Sequence, residues 1–310
     1  MKYDKPPLSF EQQAEQLLKR GLIADKEELV KRLESVNYYR LSGYLYPFRV
    51  PQSDRFQEGT QLSMVWNRYC FDRRLRVLVL DAIERIEVAV RTQTVFHFSR
   101  WHGAFGHTRE ENLPNIKELR HYLDWRASLE VETSRSKEIF KKHFFTKYGE
   151  DHQNLPLWMV SELMSMGSLL TFYNGCADGI KKDVSSHFGL PDTLFISWLR
   201  SLYAARNICA HHSRFWNREL GYPPLLPNKN KFPTWHLLSE SGDKKLLVNN
   251  RCGIILIILR QMLATISPSS QWHERIEKIF LEYPDIPLHS MGLPQNWKSH
   301  PLWVSPIHQS

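Results

Sequence analysis

An arginine, an asparagine and two histidines lie within one short stretch of the chain: Arg206, Asn207, His211 and His212. A guanidinium can hold a phosphate through two parallel hydrogen bonds, and an imidazole can transfer protons near neutral pH. Together such groups could cut RNA without a metal ion. A histidine would remove the proton of the ribose 2′-hydroxyl, and the arginine would stabilise the charge that develops at phosphorus. These four residues are the candidate catalytic set.

The spacing of arginine and histidine carries little information by itself. In a chain of this composition, an arginine followed by a histidine five to seven positions later is expected about three times by chance. The spacing recurs at Arg91 and His97 and at Arg100 and His107. The evidence must therefore come from the residues around the motif.

The segment that follows the motif is basic and aromatic. Residues 200–231 contain six lysines or arginines and one acidic residue. Cations interleaved with aromatic rings are typical of surfaces that bind single-stranded RNA. The candidate RNA-binding residues here are Arg214, Trp216, Asn217, Arg218, Lys229 and Lys231. The alternative is a proline-containing surface loop whose aromatic side chains pack inward.

A helix that starts after Pro191 and runs to His212 would position the motif. Placed at about 100° per residue, its apolar side chains form a single stripe. Asn207 and His211 lie outside the stripe and one turn apart, where the amide could hydrogen-bond the imidazole. Arg206 lies at the edge of the stripe, about 140° from His211 on a straight helix. Three arrangements could still build one site: the long Arg206 side chain bends around the helix towards His211, the helix ends near Ala210, or a second subunit supplies partner residues. The stripe consists of Leu194, Phe195, Trp198, Leu199, Leu202, Ala205 and Cys209.

Arg206 and His212 also have structural interpretations. An arginine at the border of an apolar stripe often pairs with a buried carboxylate. The carboxylates of Glu84, Glu87 and Glu162, on other apolar helices, could serve. A protonated His212 could equally interact with the carbonyl end of the helix.

Composition and charge limit the class of protein. Of 310 residues, 41 are Lys or Arg and 33 are Asp or Glu, which gives a net charge of +8 and moderately favours a polyanionic partner. The four cysteines lie far apart without metal-ligand spacing, so we expect a reduced cytoplasmic protein with no metal and no cofactor. The chain starts without a signal peptide, and its most apolar run, Cys252–Leu259, is too short to span a bilayer. We therefore expect no membrane partner.

The dominant hydrophobic period is helical, which predicts an all-α fold. Asp25 is a predicted helix N-cap, as is Asp192 or Thr193 for the motif helix. Helices are predicted at Phe10–Lys19, Lys26–Glu34, Leu62–Phe98, Lys137–Lys147, Leu157–Cys176, Ile180–Phe188, Thr193–His212, Leu246–Ile266 and Ile276–Glu282.

Three regions are predicted along the chain. Residues 1–60 form an N-terminal helical region that includes an aromatic turn or helix start at Tyr38–Tyr44. Residues 61–266 form a helical core with a polar, charged insertion around 102–154. Residues 267–310 form a short helix and an extended tail that is rich in proline and tryptophan.

Eight stretches of the sequence resemble the Abi family of bacterial abortive-infection proteins, in particular its AbiD/AbiF-like members. The resemblance covers almost the whole chain and includes the catalytic motif. The stretches are Asn37–Tyr44, Phe71–Arg76, Ile83–Val88, Pro156–Trp158, Ser197–Leu199, Arg206–His212, Met291–Trp297 and Pro301–Trp303.

The resemblance implies a HEPN-type helical bundle, a nuclease fold whose members carry an Arg-x4–6-His motif and act as dimers without a metal. Arg206 and His211 match the two motif positions, and Asn207 matches the polar position after the arginine. His212 leaves open which imidazole is essential. The implied activity is a metal-independent endoribonuclease that leaves a 2′,3′-cyclic phosphate, in a toxin of phage defence.

The resemblance also implies that a structured non-coding RNA can restrain such a toxin. Two candidate docking surfaces follow: the aromatic segment with Tyr39 and Arg40, and the basic helix with Lys141 and Lys142. A second interpretation is a helical RNA-binding or scaffolding protein without catalysis, in which Arg206 and His211 are structural or grip phosphate. A third, weaker one makes the chain the substrate of a partner nucleotidyltransferase.

Overall fold

The computed structural model describes residues 6–236 and 249–304. Within these ranges all extended regular structure is helical, and β-pairing is limited to isolated bridges such as that between Ile23 and Gln61. The all-α prediction is confirmed. The α-helices are α1 (Phe10–Lys19), α2 (Lys26–Val36), α3 (Tyr38–Leu45), α4 (Leu62–His102), α5 (Leu119–Arg135), α6 (Ile139–Tyr148), α7 (Leu157–Val160), α8 (Met166–Gly175), α9 (Asp178–His187), α10 (Asp192–Ala210), α11 (Cys252–Ile266), α12 (Trp272–Glu282) and α13 (Pro301–Val304).

The start of α2 agrees with its predicted cap, and the start of α10 does not. The Asp25 carboxylate accepts a hydrogen bond from the backbone N–H of Glu28, as predicted for α2. The predicted cap of α10 is wrong: Pro191 holds the N-cap position, and Asp192 instead accepts a hydrogen bond from the Tyr173 hydroxyl at 2.5 Å. The first three residues of the predicted helix Leu246–Ile266 lie outside the described residues, and its described part begins at Cys252.

The predicted helix Leu157–Cys176 is two helices, α7 and α8. Between them the backbone becomes extended at Met164, and Ser165 caps α8 by accepting a hydrogen bond from the N–H of Ser168. The break exposes the Met164 carbonyl, which becomes an acceptor for a side chain of α4.

The chain consists of two compact units. Boundaries between them fall within α4 and α12. The first unit comprises residues up to 77 together with 275–287. Its buried polar centre lies where the Tyr44 hydroxyl donates to Asp72 at 2.6 Å and Arg76 pairs with the same carboxylate. Desolvation and the neighbouring Asp72 charge raise the pKa of Tyr44, so the phenol stays a donor.

The second unit comprises residues 78–274 and 288 onward. In it α10 packs against α8, α9 and α11, and α11 is almost wholly buried. No helix in the described part of the chain is both long and apolar enough to cross a membrane. This unit contains the whole Arg206–His212 motif.

The described end of the chain differs from its prediction. Instead of an extended tail, residues 288–304 form two short 3-10 helices and α13. Trp297, Leu302 and Trp303 are buried, so these turns are held by the apolar contacts of their side chains. The predicted region boundaries near residues 60 and 266 stay predictions.

Candidate active site

The inner face of α10 fixes the position of the motif. All seven residues of the predicted apolar stripe are buried, and Ser201 is buried beside them. Gly167 at the start of α8 allows close approach to this helix, since a Cβ there would lie 2.9 Å from the Tyr203 hydroxyl oxygen. The helix is therefore held rigidly up to the turn that carries Arg206.

The helix ends at Ala210, immediately before the two histidines. The N–H of Ser213 donates to the Ile208 carbonyl at 2.9 Å, and the N–H of His212 donates to the Cys209 carbonyl at 3.0 Å. This pair of bonds is a Schellman motif, which requires a left-handed residue, and His212 has φ 57°. The helix end near Ala210, one of the three arrangements considered from the sequence, is thus present in the structure.

Arg206 lies half-buried beside a carboxylate and an arginine of α4. Nη2 of Arg91 donates to Glu87 at 2.8 Å and to the Met164 carbonyl at 3.1 Å. Burial raises the pKa of Glu87, and the charges of Arg91 and Arg206 oppose that rise. Of the three carboxylates proposed as partners for Arg206, Glu87 is thus one whose charge it meets.

The arrangement leaves most of the Arg206 guanidinium available. Its one hydrogen bond among the described residues is long, 3.4 Å from Nη1 to the Asn207 side-chain oxygen. Glu87 keeps a direct ion pair with Arg91 and acts on Arg206 from a greater distance. The sequence singles out Arg91 only as half of a chance arginine–histidine pair, so its contribution here was missed.

The two histidines are exposed at the end of α10. The predicted hydrogen bond between the Asn207 amide and the His211 imidazole does not form, because Asn207 faces Arg206 and the chain turns away at His211. The contact between these residues is instead a backbone one, from the His211 N–H to the Asn207 carbonyl at 3.0 Å. The His211 ring makes no hydrogen bond to any described residue, and it can meet a substrate.

The basic flank divides into buried and exposed parts. Trp216 is fully buried, so the prediction that it stacks on RNA bases is wrong: the ring belongs to the core, and the Cys252 thiol donates to its carbonyl. The exposed ring of the flank is Tyr222, at 66%. Among the other predicted RNA-binding residues, Arg218, Lys229 and Lys231 are exposed, and Arg214 and Asn217 are half-buried.

Two serines of α10 hold the flank against the helix. Ser201 donates from its hydroxyl to the Tyr222 carbonyl at 2.7 Å, and the N–H of Leu225 donates to the Ser197 hydroxyl at 2.8 Å. The acidic residue of the flank, Glu219, pairs with Arg251 at 2.9 Å. The negative charge of the flank is thereby balanced, and its exposed lysines remain beside the motif helix.

The other predicted docking residues lie in different surroundings. Tyr39 is 86% exposed on α3, and Arg40 next to it is also exposed. Lys142 is exposed on α6, whereas Lys141 is half-buried and donates to the carbonyls of Ser134 and Ser136. Lys141 is therefore less suited to an RNA surface than Lys142.

The described residues contain no cluster of histidine, cysteine, aspartate or glutamate that could hold a metal ion. No curated protein and no solved structure is significantly similar to the chain. The family model of Abi-like proteins matches residues 31–217, which is more than half of the chain and includes both α4 and the Arg206–His212 motif. On that match, the chain belongs to the family of Abi-like proteins.

Proposed function

We propose that this protein is a metal-independent endoribonuclease of a bacterial abortive-infection system. The family name supports a role in abortive infection and phage defence. The observation that carries the enzymatic part is the end of α10. There, a half-buried arginine steadied by the charge of Glu87 is followed within two turns by two exposed imidazoles.

The proposed reaction transfers the phosphate from the 5′-oxygen to the 2′-oxygen of the preceding ribose. His211 removes the 2′-hydroxyl proton, the 2′-oxygen bonds to phosphorus, and the bond to the 5′-oxygen breaks as an imidazolium returns a proton to it. Arg206 donates hydrogen bonds to the non-bridging oxygens, where negative charge accumulates. The products carry a 2′,3′-cyclic phosphate and a 5′-hydroxyl.

A second copy of the chain would supply the second imidazole. We propose a homodimer in which two α10 ends meet, so that one histidine acts as base and another as acid. Mixing His211→Ala chains with Arg206→Ala chains tests this. Partial recovery of cleavage in the mixture supports a shared site. A mixed dimer that forms but does not cleave RNA contradicts it.

Cleavage of RNA by purified variants is the main test. His211→Ala and Arg206→Ala should each lower the cleavage rate by about a thousandfold or more, with unchanged circular dichroism. His121→Ala and Arg120→Ala, which replace an exposed histidine and an exposed arginine of α5, are the matched controls and should cut normally. A chelator should leave the rate unchanged. Normal cleavage by both motif variants, with loss in chelator, contradicts the proposal.

The alternative is an RNA-binding protein without catalysis. The proximity of Glu87 to Arg206 favours it, because an arginine that balances a half-buried carboxylate has a structural reason to be present. It predicts that RNA copurifies and is never cut, and that Arg206→Ala unfolds the protein. Sequencing the RNA that copurifies with wild type and with His211→Ala separates the two, since only an enzyme enriches uncut substrate in the variant.

The same sequencing tests restraint by a non-coding RNA. A structured RNA held by the toxin should be recovered as one dominant species, and Tyr39→Ala together with Arg40→Ala or Lys142→Ala should reduce its yield. Equal recovery from all variants would place the RNA elsewhere on the protein.

A further inference from the structure

A cavity of about 240 Å³ lies in the second unit, between α5, α6 and the segment that precedes α7. Its polar lining comes from the region that the sequence describes as a charged insertion. The polar residues of its wall are His107, Arg126, Glu130, Thr133, Ser134, Lys141, Gln153 and Asn154. The cavity is separate from the motif at the end of α10, since none of the motif residues lines it.

His107 gives the cavity an unusual polar group. Its side chain is 1% exposed, and its Nδ1 atom is buried without a hydrogen-bond partner among the described residues. Burial, followed by the charge of Arg126, lowers the pKa of His107 to about 3. The imidazole is therefore neutral at physiological pH, and it can either donate or accept one hydrogen bond, depending on its tautomer. Most buried polar atoms in folded proteins are hydrogen-bonded, so this nitrogen is free to bond a ligand in the cavity.

Two cations are fixed in the same wall. Nη2 of Arg126 donates to the Asn154 side-chain oxygen at 2.8 Å, and the Lys141 ammonium is held by carbonyls of the chain between α5 and α6. Arg126 has 13% of its side chain exposed, and its carboxylate neighbour Glu130 lies 3.8 Å away but is 70% exposed. Glu130 also lines the cavity, but most of its side chain is in solvent, whereas Arg126 is largely buried. The wall therefore holds two cations against one solvent-exposed carboxylate.

We propose that this cavity binds a small phosphate-bearing anion, either inorganic phosphate or the terminal phosphate of a nucleotide. Arg126 and Lys141 attract its charged oxygens. His107 bonds its protonated oxygen as an acceptor, or a charged oxygen as a donor, and the Thr133 hydroxyl contributes a further bond. A phosphate monoanion carries both kinds of oxygen, whereas sulfate carries no proton at neutral pH and cannot use His107 as an acceptor.

The test is direct binding to the full-length protein, independent of RNA cleavage. Inorganic phosphate, adenosine 5′-monophosphate and sulfate are titrated calorimetrically, and ¹⁵N NMR follows the His107 ring. We expect phosphate to bind and to shift the His107 nitrogen signals, with sulfate weaker. If adenosine 5′-monophosphate binds more tightly than inorganic phosphate, the ligand of the cavity is a nucleotide. Phosphate binding that leaves the His107 signals unchanged overturns the proposal, as does the absence of binding by both phosphate compounds at millimolar concentration.

Variants make the assignment specific. Asn154→Asp keeps an oxygen acceptor for Arg126 but adds a negative charge, so it should weaken phosphate binding by more than about tenfold while the fold is retained. Arg126→Gln should do the same. Arg120→Gln is the control, because Arg120 lies on the same helix with an acidic residue four positions later but 86% exposed. Equal affinities of wild type and Asn154→Asp would overturn the proposal even if Arg126→Gln failed to fold.

Discussion

His211 and His107 lie in one compact unit but in opposite environments. His211 stands at the open end of α10, exposed and without a hydrogen bond to any described residue. His107 is buried in a 3-10 turn, beside a cavity lined with cations. Solvent reaches the first, whereas burial and the charge of Arg126 lower the pKa of the second. Two imidazoles of one unit thus differ in burial and in neighbouring charge, and the roles proposed for them differ accordingly.

Three arginine–histidine pairs of similar spacing support the same conclusion. Arg100 lies over the Phe96 ring at 5.6 Å and does not line the cavity beside His107. Arg91 turns to Glu87, while His97 lies 3.7 Å from Asp183. Of the three pairs, the one in α10 combines a half-buried arginine with an exposed histidine.

The largest difference between His107 and His211 should appear in how the unfolding free energy depends on pH in acid. Because the pKa of His107 is about 3 in the folded protein and 6.5 in the reference state, the unfolded chain binds a proton first as the pH falls. This group should therefore cost about 1.4 kcal/mol of unfolding free energy for each pH unit below 6.5, down to about pH 3. Urea unfolding of wild type and His107→Phe in phosphate-free buffers measures the difference in slope. His211→Ala should keep the wild-type dependence of unfolding free energy on pH. If the difference in unfolding free energy between wild type and His107→Phe does not change with pH, the prediction is wrong.

The next effect concerns the support of Arg206. Glu87→Gln removes the charge that faces Arg206 while keeping an acceptor for Arg91, so cleavage should fall about tenfold through kcat rather than KM. Glu34→Gln, at an exposed position of α2, is the control and should have no effect. If Glu87→Gln loses stability but cuts RNA at the wild-type rate, Glu87 is structural only.

A smaller effect is expected at His212. Its left-handed backbone is strained for a residue with a Cβ, so His212→Gly should raise the unfolding free energy by about 0.5–1 kcal/mol. We expect cleavage to change by less than about tenfold, because His211 is assigned as the base. A loss as large as that of His211→Ala would transfer the essential role to His212. Chemical denaturation and cleavage rates are compared on the same samples.

The smallest effect on stability is expected in the flank. Lys229→Ala and Lys231→Ala should leave the unfolding free energy unchanged, because both side chains are exposed. Each should reduce the slope of log affinity against log salt by about one if it contacts RNA phosphate. Filter binding at several salt concentrations measures this. Unchanged slopes in both variants would exclude these two lysines from the RNA surface.

Periodicity was sufficient to predict the buried face of α10 and most of the longer helices, but it missed α5, joined α7 to α8 and gave an extended tail in place of α13. The stripe from Leu194 to Cys209 depends only on the helical repeat, and every member is buried. The sequence also narrowed the partner of Arg206 to three carboxylates. Choosing Glu87 among them required tertiary structure, since that choice depends on how α4 packs in the second unit.

Other features could not be predicted, for physical reasons. The end of α10 uses histidine at a position where glycine is usual, so no glycine marked the turn. Trp216 lies in a basic segment, and that position suggested a contact with RNA. Its large apolar ring instead stabilises the core, where it is fully buried. The cavity beside His107 depends on residues far apart in the sequence, and no local pattern predicts it.

The hydrogen-bonded end of α10 has a consequence for how the site is prepared. The N–H groups of His212 and Ser213 are bonded to carbonyls of the last turn although both residues lie beyond the helix. Their amides should exchange slowly with deuterated solvent in the resting protein, next to imidazoles that water reaches freely. The backbone entropy needed to place His211 is then lost during folding, and an arriving strand would meet a site whose main chain is already ordered.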